Sequence, residues 1–112
     1  MTMLSQALPE LVADMEAALA HLGRGDLVAQ LKVAILERWT YDDFSDTAYL
    51  YLKTPPDADP PARTVVDVIQ DNRLSLYDEV GVNLDTDERG LLRGIEVLDG
   101  RRVTSRLESC GA

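Results

Sequence analysis

Sulfur and imidazole ligands are scarce in this sequence. The 112 residues include one cysteine and one histidine. A lone cysteine forms no internal disulfide, so we expect a reducing compartment, the cytoplasm. A lone histidine, His21, leaves too few nitrogen and sulfur ligands for a conventional zinc site. We expect His21 to lie in the last turn of a helix, where a cation interacts favourably with the helix dipole, and we predict no bound cofactor.

Long apolar runs and basic clusters are also missing. No run approaches the roughly 18 apolar residues that cross a bilayer, and no secretory signal is visible at the N-terminus, so we expect no membrane contact. The net charge is −9, from 11 basic and 20 acidic residues. Because nucleic-acid binding needs a basic surface, we expect no nucleic-acid partner. The acidic excess instead favours a small basic protein as a partner.

The first third of the chain has the periodicity of helices. Apolar residues recur at three- and four-residue steps from Leu4 to Leu22. Gly23 suits a left-handed helix stop, and Asp26 is predicted to cap a second helix. Because the Gly-Arg-Gly link between the two helices is short, residues 1–36 are predicted to form an αα-hairpin.

After residue 37 the period changes to the two-residue alternation of strands. The predicted strands cover residues 38–41, 47–53, 64–70, 80–85 and 91–98. A proline-rich loop is expected over residues 54–62, and the segments Leu74–Tyr77 and Arg102–Leu107 are either short strands or irregular. The chain is therefore predicted to be one α+β domain over residues 1–112. In it, the hairpin packs on a mainly antiparallel sheet of four to five strands within residues 37–107, and residues 108–112 form a frayed tail with an inert Cys110.

An acidic motif resembles a calcium-binding loop. Asp85, Asp87, Gly90 and Glu96 have the spacing of EF-hand ligands and of the EF-hand glycine. However, Arg89 stands where an oxygen ligand belongs, and the flanks alternate like strands. We therefore predict a β-hairpin whose turn needs a positive φ at Gly90.

Four carboxylates remain candidates for a metal or ligand site. They are Asp42, Asp46, Asp85 and Glu96. If the sheet brings them together, a hard divalent cation fits between them, or one raised pKa supports acid–base chemistry. The alternative is a solvated acidic surface, with Asp46 accepting backbone hydrogen bonds in its turn.

Aromatic side chains are few and concentrate in two predicted strands. They are Trp39, Tyr41, Tyr49 and Tyr51. Two interpretations stay open for these residues. They are either part of the core, or they form an aromatic face at a subunit interface, where tyrosine and tryptophan are enriched.

Two segments resemble a bacterial family, the domain of unknown function 2283. Tyr41–Leu52 is similar to its opening hairpin, and Val82–Leu98, with the ending Gly-Ile-Glu-Val-Leu, is similar to its closing hairpin. The resemblance covers about residues 38–100. The helices before it and an apparent insertion over Asp71–Tyr77 depart from the family. The resemblance implies no activity, but members are often encoded beside small toxin-like proteins, which implies an antitoxin-like role.

Together these observations favour a small non-catalytic protein-binding or regulatory module that forms a homodimer. The alternative is a carboxylate-based protein that binds a divalent metal or another ligand, or an enzyme of that type. A purely structural scaffold domain is a third hypothesis, which the sequence does not separate from the first.

Overall fold

A computed structural model describes residues 2–53, 73–87 and 89–109 as an α+β fold. The strands within these ranges are β1 (Thr2–Met3), β2 (Ile35–Asp42), β3 (Thr47–Lys53), β4 (Arg73–Leu76), β5 (Val82–Thr86) and β6 (Leu92–Leu98). The helices are α1 (Leu4–Ala7), α2 (Pro9–His21), α3 (Gly25–Val33), α4 (Tyr77–Val80) and α5 (Arg101–Ser109). The predicted loop over 54–62, the predicted strand over 64–70 and Cys110 lie outside the described residues.

The strands form one antiparallel sheet in the order β1-β2-β3-β6-β5-β4. The prediction of a mainly antiparallel sheet is confirmed, but the predicted number of strands is wrong, because the described ranges contain six. Two of the six were not expected as definite strands. The strand β1 pairs Thr2 with Leu36 and Met3 with Ile35. A two-residue strand has no alternation to recognise, so only its pairing partner reveals it.

The core lies between one face of this sheet and the helices. Inward-facing strand residues such as Leu50, Leu84 and Ile95 are fully buried, in the same apolar cluster as Met15 of α2 and Leu31 of α3. This is the helix-on-sheet arrangement by which each element buries its apolar side. Among the described helices, none is both long enough and apolar enough to cross a bilayer.

Two N-terminal helices form where the periodicity predicts them, and they pack against each other. Gly23 has a φ of +74° and ends the first of them, as predicted. Asp26, however, is not the N-cap of α3, so this prediction is wrong. The N-cap position is held by Arg24, and Asp26 lies in the first turn of α3, where its carboxylate pairs with Arg24 at 3.1 Å.

The C-terminal segment is helical, and the prediction of a short strand or irregular tail over Arg102–Leu107 is wrong. Val103 and Leu107 are one helical turn apart, and both are buried in the core cluster. Gly100 makes this docking possible, because a β-carbon at that position would come within 2.5 Å of the Ala48 backbone nitrogen. The close approach of α5 to β3 therefore depends on the missing side chain.

The predicted strand over residues 80–85 begins two residues late. Val80 ends the helical turn α4, and Gly81 follows with a φ of +73°. The strand β5 then starts at Val82. A left-handed glycine stops the helix here as Gly23 does after α2, which explains why the apolar residue Val80 does not continue the alternation of the strand.

Candidate functional site

The sheet has a second face, on the side opposite the core, and no described helix lies on it. We call it the open face. It consists of the outward-pointing side chains of five strands: Arg38, Thr40, Asp42, Thr47, Tyr49, Tyr51, Lys53, Arg73, Ser75, Asn83, Asp85, Gly94, Glu96 and Leu98. Their alternation with buried residues follows from the two-residue period of a strand.

Strand pairing arranges the centre of the open face in two cross-strand rows. The first row runs Arg38–Tyr51–Gly94–Asp85–Arg73 across β2, β3, β6, β5 and β4. The second row runs Thr40–Tyr49–Glu96–Asn83–Ser75 across the same strands. Directly opposed side chains in such rows are close enough to contact each other. The face is therefore a continuous polar and aromatic surface.

Tyr49 lies at the centre of this surface. Its ring covers Gly94 on β6, and its hydroxyl donates a hydrogen bond of 2.5 Å to Asp85 Oδ2 on β5. Burial and the acceptor carboxylate of Asp85 raise the pKa of Tyr49 well above its usual value. The hydroxyl therefore stays protonated at neutral pH, as a donor that ties β3 to β5.

Arg73 links two carboxylates on neighbouring strands. Its guanidinium makes a two-bond contact with Asp85, at 2.7 and 3.1 Å, and approaches Glu96 Oε1 at 3.3 Å. The hydrogen bond to Asp85 raises the pKa of Arg73. Asn83 donates a further bond of 2.8 Å to Glu96 Oε1. Both carboxylates are thus satisfied by donors from this face.

Aromatic stacking continues the network toward the β2 side of the sheet. The rings of Tyr49 and Tyr51 have centroids 4.8 Å apart at an interplanar angle of 58°. The guanidinium of Arg38 lies 3.7 Å from the centroid of the Tyr51 ring. Such a cation–π contact at a partly exposed site contributes on the order of 0.5–1 kcal/mol. Arg38 and Tyr51 are therefore held in place before anything binds.

The structure brings together only two of the four candidate carboxylates. Asp85 and Glu96 share Arg73, so a guanidinium bridges them. Asp42 accepts a hydrogen bond of 3.0 Å from the Phe44 backbone N–H at the tip of the β2–β3 hairpin. It lines a shallow depression that Glu96 also borders. Within the described ranges, no three Asp, Glu, His or Cys side chains are grouped as metal ligands.

Asp46, the fourth carboxylate, connects the hairpin turn to α5. It has a φ of +52°. Its Oδ1 accepts hydrogen bonds from the Tyr41 hydroxyl at 2.7 Å and from the Arg101 backbone N–H at 3.0 Å. Its bond from Tyr41, supported by the one from Arg101, lowers the pKa of Asp46. The carboxylate lies at the N-terminus of α5, where a negative charge is stabilising.

The four candidate aromatics do not share one face, which corrects the expectation of a single aromatic surface. Trp39 and Tyr41 pack against the core, whereas Tyr49 and Tyr51 point to the open face. In the pairing, Trp39 lies opposite Leu50, and Tyr41 lies opposite Ala48. Because directly paired residues share a face, the register separates the two aromatic pairs.

The predicted hairpin at Gly90 is present, and it excludes an EF-hand geometry. Gly90 has a φ of +82°, and β5 pairs with β6 in an antiparallel arrangement that sets Glu96 opposite Asn83. Asp87 accepts backbone hydrogen bonds from Arg89 and Leu91 and pairs with Arg93 at 2.9 Å. The acidic motif is therefore a turn stabilised by its own donors.

A family model described as "protein of unknown function (DUF2283)" matches residues 38–100, which is more than half of the chain. The chain belongs to the DUF2283 family. No curated protein and no solved structure matches the sequence. The DUF2283 segment contains β3 to β6 and the part of β2 from Arg38 onward, so both central rows of the open face lie within it. The helices α1–α3 and α5 lie outside.

Several important residues of the DUF2283 segment were not singled out by sequence reasoning. Arg38, Arg73, Asn83 and Gly94 complete the open face, but nothing in the local sequence identifies the first three. Arg73 belongs to the apparent insertion, so its pairing with Asp85 depends on how β4 docks on β5. Gly94 was part of the family pattern, and a glycine inside a strand does signal a close approach by another group.

Proposed function

We propose that the protein is a non-catalytic protein-binding module and that the open face is its recognition surface. The observation that carries the proposal is the cluster of Tyr49, Tyr51 and Arg38 on a sheet face without a described helix. Tyrosine and arginine are the residue types that most often dominate binding energy at protein interfaces. Their mutual contacts hold them in one conformation, which reduces the entropy lost on binding.

The polar groups of the open face are better suited to binding a partner than to catalysis. Tyr49 is held as a neutral donor, and Asp85 and Glu96 accept bonds from Arg73 and Asn83. A carboxylate already bound to a guanidinium loses part of its ability to accept a proton from a substrate. The same pairing lowers the cost of burying these charges against a partner, because they do not enter the interface unpaired.

A matched pair of double variants tests this proposal. Arg38→Ala/Tyr51→Ala removes the aromatic and basic side chains of the open face. Arg106→Ala/Tyr77→Ala makes the same two changes on α5 and α4, where both side chains are exposed. Native purification from the source cell, followed by titration calorimetry with each purified partner, gives the affinities. We expect the open-face variant to bind at least ten times more weakly, and the control to bind like the wild type.

Equal binding by both variants would contradict the proposal, as would recovery of the wild type as a monomer without any partner. Both variants must melt within a few degrees of the wild type, which is expected because neither change removes a fully buried side chain. Arg38 and Tyr51 were chosen for this reason, whereas Tyr49 covers Gly94 and contributes to the fold itself.

We further propose that this binding module acts in the cytoplasm, in an antitoxin-like role toward a small basic protein. It is supported by the net charge of −9 and by the tip of the β2–β3 hairpin. There Phe44 is 97% exposed next to the exposed Asp42 and Asp43. If a small basic protein encoded nearby inhibits growth, co-expression of this chain should restore growth, and Phe44→Ser should abolish that rescue. No rescue by the wild type would refute this role.

The alternative function, divalent-metal binding by Asp42, Asp46, Asp85 and Glu96, stays a prediction. A ligand that binds only the folded state raises its stability. Thermal melts with and without millimolar magnesium or calcium test it directly. An unchanged melting temperature would argue against this alternative, and an increase that Asp85→Asn removes would support it.

A further inference from the structure

We infer that the partner on the open face is a second copy of this chain, related to the first by a two-fold axis between β3 and β6 that runs parallel to the strands. This inference rests on the proposed function and specifies its partner. It is argued from the register of the sheet, which fixes the residue that each open-face side chain would meet in a face-to-face dimer.

The geometry of such an axis is simple. A rotation of 180° about a line parallel to the strands, between β3 and β6, places β3 opposite β6 of the second copy and β2 opposite β5. Positions along the strands are unchanged, so each cross-strand row lies opposite itself. Aligned sheets that pack face to face lie about 10 Å apart with mean strand directions within about 30° of each other, and an axis parallel to the strands satisfies this condition.

The first row is complementary to itself under this rotation. Arg38 on β2 lies opposite Asp85 of the second copy, so that opposite charges meet twice in one dimer. Tyr51 on β3 lies opposite Gly94, which carries no side chain of its own. The Tyr49 ring covers that glycine, and it therefore presents an aromatic surface to Tyr51 of the other copy, a favourable pairing at interfaces.

The second row is complementary in hydrogen-bonding groups. The backbone position of Tyr49 lies opposite Glu96 of the second copy, although the Tyr49 hydroxyl stays bound to Asp85 of its own chain. Thr40 lies opposite Asn83, which sets a hydroxyl against an amide. An axis through β3 itself would instead place Tyr51 opposite Tyr51 and Arg38 opposite Gly94, and it would leave Arg38 without a carboxylate. The charges therefore favour the axis between β3 and β6.

The charge of the open face also favours a second copy over a basic partner at this surface. Among its charged side chains at register-paired positions, three are basic and three are acidic, so their charges sum to zero: Arg38, Lys53, Arg73, Asp42, Asp85 and Glu96. The whole chain carries −9. Two copies repel each other through most of their surface, but not through a face whose charges cancel.

Sedimentation equilibrium of the purified full chain tests the inference. We expect a mass of twice the 12.4 kDa of one chain. Tyr51→Ala and Arg38→Asp should each weaken association at least tenfold, because the first removes the ring opposite Gly94 and the second sets two carboxylates against each other. Tyr77→Ala and Arg106→Asp, matched changes away from the open face, should leave the dimer unchanged.

Chemical cross-linking tests the axis while every charged side chain of the open face stays in place. In a Cys110→Ser background, Thr40→Cys and Asn83→Cys place thiols at positions that oppose each other only between copies. A bismaleimide with a span of roughly 10 Å, the spacing of packed sheets, should join a mixture of the two variants. Either variant alone should cross-link weakly, because the two copies of β2 lie on opposite sides of the axis.

Three results would overturn the inference: a monomer at all concentrations, a dimer that withstands both Tyr51→Ala and Arg38→Asp, or cross-linking of the Thr40→Cys variant alone as efficient as that of the mixture. The first result leaves the proposed function intact if Arg38→Ala/Tyr51→Ala still loses a different protein partner. If that double variant loses nothing, the proposed function fails together with the inference.

Discussion

The ring of Tyr49 occupies the space that a side chain at Gly94 would need. A β-carbon built on Gly94 would lie 2.6 Å from both Cε1 and Cζ of the Tyr49 ring. The close contact holds the tyrosine flat on the sheet and directs its hydroxyl to Asp85 on the next strand. Gly94 therefore determines the shape of the open face without contributing a side chain to it.

Gly94→Ala should lower the free energy of unfolding by about 1–3 kcal/mol, the usual cost of forcing extra atoms into a packed site. Urea denaturation followed by circular dichroism measures the change. Gly25→Ala is the matched control, because no atom lies within 4 Å of a β-carbon at that position. Equal losses of stability in the two variants would show that the position of the Tyr49 ring does not require a glycine at residue 94.

Gln30 is a buried polar residue that joins α3 to the β5–β6 turn. Its amide donates to the Gly90 carbonyl at 3.1 Å and accepts from the Leu92 backbone N–H at 2.7 Å. Gln30→Leu should cost about 1–3 kcal/mol, because buried backbone groups lose these bonds. Gln6→Leu, at an exposed position of α1, should change the urea midpoint little. Loss of stability in both variants would point to a general effect of leucine.

Leu107 tests whether α5 is an integral part of the fold. Its side chain is fully buried, so Leu107→Ala should lower the free energy of unfolding by about 2–4 kcal/mol through lost burial and the remaining cavity. Leu22→Ala provides the comparison, because Leu22 is 48% exposed, and its loss should cost far less. Similar urea midpoints for Leu107→Ala and the wild type would mean that α5 contributes little to stability.

Acid should destabilise the β5–β6 turn through Asp87. Burial raises the pKa of this carboxyl, but backbone bonds from Leu91 and Arg89 and the Arg93 guanidinium outweigh burial and leave the pKa below its usual value. The unfolded chain then takes up the proton at a higher pH than the folded chain. The stabilisation is complete above the unfolded pKa, near 3.9 for aspartate, and is lost as the pH falls through the folded pKa.

Asp87→Asn should therefore lose less stability than the wild type between about pH 5 and about pH 2, where the aspartate would titrate. Thermal melts across this range measure the difference. Arg93→Gln should act in the same direction, because it removes the cation that favours the charged carboxylate. An acid dependence identical in all three proteins would contradict this role of Asp87.

The local sequence was sufficient to predict the features that a single helix, strand or turn determines by itself. The period of a helix predicts the apolar stripe of α2, and the period of a strand predicts the alternation of Tyr49 and Tyr51 with Ala48, Leu50 and Leu52. The freedom of glycine at positive φ predicts the helix stop at Gly23 and the turn at Gly90. These features need no distant partner. The same holds for the family, since its pattern consists of two continuous hairpins.

Tertiary structure decided whatever depends on pairing between distant segments. Val103 and Leu107 became a helix because the core offered them a buried site, although their spacing also suited a short strand. Thr2 and Met3 became a strand because β2 had a free edge beside them.

The open face depends on pairing for the same reason. Arg73 and Asp85 lie 12 residues apart and meet through the pairing of β4 with β5. Tyr49 and Arg38 reach them only through the order β2-β3-β6-β5-β4. Periodicity determines which way a side chain points, because it follows from backbone geometry alone. Only the register between strands determines which side chain it meets, and this register separated Trp39 and Tyr41 from the tyrosines of the open face.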